Sequence, residues 1–485
     1  MPNRLRILLI ASEVEPFAKT GGLADVVGAL PRALAALGHD VRVLMPKYRG
    51  VETTAGALSV ALPRVHVPMG DRTTEGALLE GRLGRDVPVY FLVHDHYYDR
   101  PGLYGTQDES YLDNCERFVF FCRGALEAIR GLGWLPQVIH ANDWQTGLVP
   151  VYLETLYAGD PALSSIATLF TIHNVAYQGT FWHFDMPMTG LGWDLFTPAG
   201  LEFYGKLNFM KGGLVFADLL NTVSRTYAQE IQTPEFGYGL EGVLQSRSSD
   251  LFGVLNGIDA EEWDPSTDEQ IAKRFSADDL AGKATCKSAL VAEMGLDADG
   301  SPLIGVVSRL AHQKGLDLVP EAFPGLLDLG FQVALLGAGE SWLEDALTEA
   351  AARHPGRIAL RIGFDEDLAR RIYSGADMFL MPSRYEPCGL GQMISMRYGT
   401  IPIVRRTGGL ADTVHEGRTG FLFVDPTKAA LVDAARRARD AFRDAATWRQ
   451  LVRNAMGEDF SWHASAKEYV SLYRRAAKAA AAGRV

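Results

Sequence analysis

Short β-branched apolar runs alternate with longer helix-length patterns along almost all 485 residues, and the alternation is played out twice. In the first half the runs are residues 6–11, 41–45, 87–93, 138–141, 168–172 and 219–223, with helical stretches at 23–37, 115–132 and 146–157 between them. The second half restarts the pattern with runs at 303–308, 332–336, 358–362, 378–381, 401–404 and 421–424. Such alternation predicts α/β architecture with parallel sheets flanked by helices. Ligands of these sheets sit beyond the carboxyl ends of the strands. The chain is also too long for one ordinary core, so two domains are expected. The break falls at residues 253–262, where Asn256-Gly257 is a turn dipeptide followed by an acidic, turn-rich stretch. The expected domains are therefore 1–252 and 253–459.

Within this frame one motif recurs. Thr-Gly-Gly-Leu-Ala-Asp, led by a basic residue, occurs as Lys19-Thr20-Gly21-Gly22-Leu23-Ala24-Asp25 and again as Arg406-Thr407-Gly408-Gly409-Leu410-Ala411-Asp412. Each copy follows a strand run and precedes a helix pattern. A cation, glycines that allow close backbone approach, and a helix N-terminus make an anion cradle. Two copies suggest two α/β halves addressing one anionic ligand; the bland alternative is two similar tight turns.

Charge limits the partners. With 47 basic against 59 acidic residues the net charge is −12, which argues against nucleic acid or an anionic membrane while leaving room for a local cationic pocket. The four cysteines, Cys115, Cys122, Cys286 and Cys388, have neither disulfide-framework nor zinc spacing, which suits a reducing compartment. The N-terminal apolar run is short and broken by Glu13 and Glu15, unlike a signal sequence, and no stretch nears the ~18 apolar residues of a membrane span. A cytoplasmic location is the expectation.

Four polar clusters lie at strand ends. Ser308-Arg309-Leu310-Ala311-His312-Gln313-Lys314-Gly315 offers a planar guanidinium and a mobile ammonium, suited to neutralising a leaving diphosphate. Pro382-Ser383-Arg384-Tyr385-Glu386-Pro387-Cys388-Gly389-Leu390-Gly391 places a carboxylate just before a helix expected to open at Gly389. Glu386 there either caps the helix or accepts ligand hydroxyls. Cys388 reads as a packing residue, since no base stands beside it. In the first half His140-Ala141-Asn142-Asp143-Trp144 and Thr171-Ile172-His173-Asn174 supply the polar groups and ring face of a sugar pocket. The competing reading has Asp143 capping a helix from Gln145 and the histidines bonded to backbone. Asp297-x-Asp299 and Asp365-x-Asp367 match a metal-dependent transfer pattern, but their turn and helix-start positions favour local capping. Gly337-Ala338-Gly339 lacks the third glycine of a dinucleotide fingerprint.

Taken in order, Glu13 to Val26, His140 to Trp144, Thr171 to Gly179, Leu255 to Asp259, Ser308 to Gly315 and Pro382 to Gly391 resemble the motif set of the bacterial glycogen synthase family, much of it shared with plant starch synthases. The resemblance implies a GT-B fold, two Rossmann-like domains with parallel sheets facing an interdomain cleft. It also implies that a C-terminal helix, 460–485, packs back on the N-terminal, glucan-acceptor domain, the other domain taking ADP-glucose. The implied reaction is retaining transfer of glucose from ADP-glucose to the non-reducing end of glycogen or a malto-oligosaccharide, with no metal and no cofactor. By motif, Lys19 contacts the sugar nucleotide on a turn shaped by Gly21, Gly22 and Asp25. Arg309 and Lys314 hold the diphosphate. Glu386 binds the transferred glucose, helped by the amides of Cys388, Gly389, Leu390 and Gly391. His173 lies against the reacting sugar, and Asp143, Asn174, Asn256 and Tyr104 are sugar or acceptor contacts.

Three positions depart from the family pattern, Gly391 where threonine is common and Ile394-Ser395 in place of Tyr-Ala, with modest kinetic effects expected. The remaining rivals are a related transferase using UDP-glucose or another acceptor, a silent glucan- or nucleotide-binding regulator, and, least favoured, a dinucleotide-dependent dehydrogenase.

Overall fold

The structure is a computed structural model that describes residues 4–106 and 109–483. Its chain divides into two compact units. The first comprises residues 1–223, 228–254 and 462–485, and the second comprises 224–227 and 255–461.

Among the described residues the first unit carries twelve strands: β1 (Arg6–Ile10), β2 (Asp40–Pro46), β3 (Ser59–Met69), β4 (Arg72–Leu83), β5 (Val87–Val93), β6 (Val138–Asn142), β7 (Ala167–Ile172), β8 (Thr180–Trp182), β9 (Glu202–Phe203), β10 (Lys206–Asn208), β11 (Leu219–Thr222) and β12 (Leu251–Gly253). Nine form one sheet in the order β12-β11-β7-β6-β1-β2-β5-β4-β3, and β8-β10-β9 make a small separate one. From β12 to β5 every pairing is parallel. Ile7 to Ile10 and all of β6 and β7 are buried, as expected of strands covered on both faces.

One edge adds what the sequence pattern does not show: β3 and β4 form an antiparallel hairpin, and β4 also runs antiparallel to β5. The burial of β3 and β4 is patchy and their register shifts twice, so no clean alternation marks them. Pro63 and Pro68 are tolerated because β3 is the edge strand. The helix expected over 146–157 is also shorter. A 3-10 turn at Trp144–Thr146 gives way to a helix at Leu148–Glu154. Between them lies Gly147, where any Cβ would fall 2.0 Å from the Phe209 carbonyl oxygen.

The last helix, Trp462–Gly483, lies against the helix Gly22–Ala36 and against β7. Tyr473 Oη is 2.9 Å from Nδ1 of buried His140, and Tyr469 Oη is 3.1 Å from the Asn221 amide. Arg484 and Val485, the end of the expected helix, lie outside the described residues.

The second unit holds β13 (Leu303–Val307), β14 (Gln332–Gly337), β15 (Ile358–Ile362), β16 (Met378–Met381), β17 (Ile401–Arg405) and β18 (Phe421–Phe423). They form one all-parallel sheet ordered β15-β14-β13-β16-β17-β18. The order reverses at β13 and β16, and the loops leaving those two strands carry Arg309, Lys314 and Glu386. Such a switch point leaves a crevice for ligand.

Candidate active site

In the second unit, Lys314 ends a 3-10 turn, His312–Lys314, and Gly315 follows with φ +63°. A Cβ on Gly315 would lie 2.1 Å from the Pro382 carbonyl oxygen, so only glycine lets the loop after β13 seat against the loop after β16. Arg384 N–H donates to the Gln313 carbonyl at 2.8 Å and fixes the contact. The result is an ion pair of 2.6 Å between Lys314 Nζ and Glu386 Oε2, with Ser383 Oγ donating to the same oxygen at 2.9 Å. Glu386 is only 5 % exposed. The helix-cap reading of Glu386 is thereby corrected: the helix starts at Gly391, and its cap position, Leu390, makes no side-chain bond. Gly389, expected to open that helix, instead turns the chain with φ +74° just ahead of it. Arg309 is exposed, and its guanidinium has no hydrogen-bond or ion-pair partner among the described residues.

Burial pushes the Cys388 thiol up to about 12, which fits a packing role. Its sulfur receives a backbone hydrogen bond from Asn256. Asn256 Oδ1 and Gln392 Oε1, in this same neighbourhood, are both buried and lack a hydrogen-bond partner among the described residues.

The repeated motif turns out to serve two purposes. Around the second copy the backbone of Glu386 to Cys388 is packed so closely that a Cβ on Gly408 would meet the Glu386 carbonyl oxygen at 1.9 Å, and one on Gly409 the Cys388 carbonyl oxygen at 2.0 Å. Gly409 N–H donates to the Glu386 carbonyl at 3.0 Å, and both glycines are buried. This copy buttresses the Glu386 loop and is no anion cradle. At the first copy a Cβ on Gly21 or Gly22 would meet nothing within 4 Å. Even there, the expectation of outward N–H groups is corrected. Those of Thr20 and Gly21 point at the buried carboxylate of Glu13, at 2.5 and 3.2 Å. Lys19 stays half exposed, with Asp25 at 2.6 Å and Glu15 at 3.7 Å.

The same unit gathers Tyr104, Asp143, His173 and Asn174. Tyr104 Oη lies 2.7 Å from both Glu13 and Ser12, and its ring is 6.3 Å from that of Trp144. Asp143 sits at φ 57°, a strained conformation of the kind found at functional sites. Its carboxylate caps no helix, since it accepts the His173 N–H at 2.7 Å and a backbone bond from Asn174. Burial raises its pKa to about 7, the two backbone bonds opposing and the Glu13 charge adding to the rise. Burial lowers His173 to about 3, so its ring is neutral near pH 7. His173 Nε2 lies 3.0 Å from Asn142 Oδ1, while the Asn142 amide group donates to the Ile10 and His140 carbonyls. That orientation places the ring proton on Nε2. His140 bonds side chains, Tyr473 and Thr171, where backbone had been the bland expectation.

Neither Asp-x-Asp pair is gathered with other ligands. Asp365 caps its helix through the Leu368 N–H, and Asp299 bonds Ser301 and Arg357. Among the described residues no three His, Cys, Asp or Glu side chains stand close enough to share a metal. A Cβ on Gly337 would fall 2.2 Å from the Ser308 carbonyl oxygen, and one on Gly339 would fall 2.1 Å from that of Leu310, so close strand-end packing accounts for both glycines.

Ser383, Asn142 and Glu13 stand inside the quoted motifs, but their parts in the site, bonding Glu386, His173 and the Thr20 and Gly21 amides, depend on contacts the sequence does not show. Phe364, two residues beyond β15, is 93 % exposed and is not singled out by the sequence reading.

Comparison with known proteins matches residues 6–246 to the family described as starch synthase catalytic domain and residues 294–454 to glycosyl transferases group 1. Glycogen synthase of Syntrophotalea carbinolica is 51 % identical, the match covering 97 % of this chain and 99 % of that one. Glycogen synthase of an Anaeromyxobacter species is 52 % identical over the same shares. Among solved structures, the catalytic domain of Starch Synthase IV from Arabidopsis thaliana, bound to ADP and acarbose, superposes with TM-score 0.88 at 35 % identity, covering 98 % of this chain and all of that one. Sucrose-phosphate synthase from Thermosynechococcus elongatus, at 19 % identity and TM-score 0.62 over 97 % and 99 % of the two chains, shares the fold.

Proposed function

The chain belongs to the glycogen and starch synthase family of GT-B glycosyltransferases, and we propose that it moves glucose from ADP-glucose to the non-reducing end of an α-1,4-glucan with retention at the anomeric carbon. The observation that carries this reading is the partly buried Lys314–Glu386 pair at the carboxyl edge of the second sheet. A carboxylate held there accepts glucose hydroxyls, and the ammonium beside it meets the diphosphate.

As the bond from glucose C1 to the diphosphate oxygen breaks, negative charge grows on the departing ADP. Lys314 and exposed Arg309 stabilise it, in the manner of preorganised donors at a developing anion. The acceptor 4-hydroxyl attacks from the face that ADP leaves, and its proton passes to the departing phosphate oxygen. The His173 carbonyl supports positive character at C1, with Asp143 fixing that backbone through the His173 N–H. Lys19 contacts the sugar nucleotide, and Tyr104, Asn174 and Asn256 contact sugars. The amides of Cys388 to Gly391 assist at the glucose and phosphates. Phe364 offers a ring face to the base, a role its exposure supports. The acarbose-bound starch synthase favours an oligosaccharide acceptor. The domain assignment follows: residues 253–459 take the donor, and residues 1–252 with the last helix take the glucan. We place the enzyme in the cytoplasm; no helix among the described residues is long and apolar enough to cross a membrane.

The test is incorporation of labelled glucose into glycogen from ADP-glucose and from UDP-glucose, side by side, without added metal. Incorporation chiefly from ADP-glucose supports the reading. Preference for UDP-glucose, or silence with both donors in folded protein, overturns it.

A further inference from the structure

The segment joining β1 to the helix Gly22–Ala36 is a closed loop folded around one side chain. Val14 and Ala18 exchange backbone hydrogen bonds of 3.1 and 3.0 Å, and Glu15 N–H donates to the Ala24 carbonyl at 3.0 Å. Gly28 gives the loop room to lie on the helix, since a Cβ there would stand 2.6 Å from the Glu15 carbonyl oxygen. Inside the loop is Glu13, only 4 % exposed. Its Oε2 accepts the N–H groups of Thr20 and Gly21, at 2.5 and 3.2 Å. Its Oε1 accepts the Thr20 hydroxyl and the Tyr104 phenol, each at 2.7 Å. Tyr104 Oη is in turn 2.7 Å from Ser12 Oγ.

An ionised carboxylate has about four acceptor sites, and Glu13 spends all of them on its own chain. It is therefore placed neither to take a proton from a substrate nor to bind a hydroxyl. It does for the Lys-Thr-Gly-Gly turn what a bound anion does in a phosphate loop. It draws the amides inward, so that the Lys19 side chain, half exposed, is the group the turn presents. We propose that Glu13 is the positioning residue for Lys19, an internal anion that withdraws the Thr20 and Gly21 amides from the donor phosphates and holds the turn in shape. This rests on the reading of Lys19 as a donor contact.

The test is a double-mutant cycle, because a residue that acts through another loses its effect once that other is gone. Steady-state kcat and KM for ADP-glucose are measured for Glu13→Ala, Lys19→Ala, the double variant and Glu13→Gln, with thermal melts as the folding control. Leaving two amides without their acceptor should lower kcat/KM by about 10- to 100-fold in the Lys19 background. In the Lys19→Ala background the same substitution should cost less than about threefold. Glu13→Gln should recover most of the loss, since its carbonyl oxygen can take both amides while its NH₂ donates to the two hydroxyls. If Glu13→Ala does not fold, Glu13→Asp, one methylene shorter, carries the cycle. Equal losses in both backgrounds, or full activity of the Glu13 variants, overturn the proposal while leaving Lys19 in place. A Lys19→Ala enzyme with wild-type kinetics removes Lys19 from the donor site and the proposal with it.

Discussion

Taking away one member of a buried ion pair strands the other charge, and this asymmetry governs what substitution at Lys314 and Glu386 reports. Lys314→Ala leaves a carboxylate that is 5 % exposed with Ser383 Oγ still bonded to it, and also removes a cation from the departing diphosphate. We predict a fall in kcat of about 100-fold or more, the scale set by losing one preorganised donor. Turnover within about threefold of wild type would take Lys314 out of the mechanism. Asp143 makes a prediction of a different kind. Its pKa is raised to about 7 from an ordinary 3.8. Between those values the folded protein holds a proton that the unfolded chain has released, so stability falls as pH climbs through the window. Asp143→Asn cannot titrate. Whatever constant offset it introduces, its melting temperature relative to wild type should rise from pH 4 to pH 7. A difference that stays flat over that range refutes the raised pKa. The sequence placed Asp143, His173, Arg309, Lys314 and Glu386 at strand ends. It could not say that Asp143 grips backbone or that Glu386 is paired, because both depend on loops meeting from distant parts of the chain.

At the scale of elements, identical letters carry opposite constraints. Thr20-Gly21-Gly22 and Thr407-Gly408-Gly409 were legible as a repeat, and the strand-to-helix turn at each was legible too. What each turn packs against was not, because the neighbours of Gly408 come from the loop after β16. The structure therefore separates two substitutions that sequence would treat alike. Gly408→Ala adds a Cβ 1.9 Å from the Glu386 carbonyl oxygen at φ +42°. The left-handed backbone and the overlap together should cost about 2–5 kcal/mol. Relief of the overlap moves Glu386, so kcat should drop as well. Gly21→Ala adds a Cβ in open space at φ −159° and should leave the melting temperature almost unchanged. Equal melting temperatures for the two variants would show that the second copy does not brace the Glu386 loop. The β3–β4 hairpin escaped sequence reading for a related reason. Its faces are only partly covered, so packing imposed no clear period on its residues.

For the molecule as a whole, the order of the chain and the order of the structure part company at the end. The last helix follows the whole second unit in sequence but belongs to the first. Its partner came mainly from family resemblance, since an apolar stripe does not say which face it will cover. That stripe buries Trp462, Tyr469, Val470, Leu472 and Tyr473. At ~1.5–3 kcal/mol for each large side chain, the helix contributes roughly 7–15 kcal/mol, comparable to the ~5–15 kcal/mol net stability of a typical protein. It also supplies the Tyr473 hydroxyl to His140, whose ring is fully buried and held well below its ordinary pKa. A chain stopped after Ser461 should therefore lose the first unit's fold and keep the second's. Hydrogen exchange reads this directly: amides of β1, β6 and β7 should lose protection, and those of β13, β14 and β16 should retain it. Retained protection in the first sheet would mean that its strands and their own helices suffice. Loss in both sheets would mean that the second unit also draws its stability from the first, so the experiment measures how far the two units fold as separate bodies.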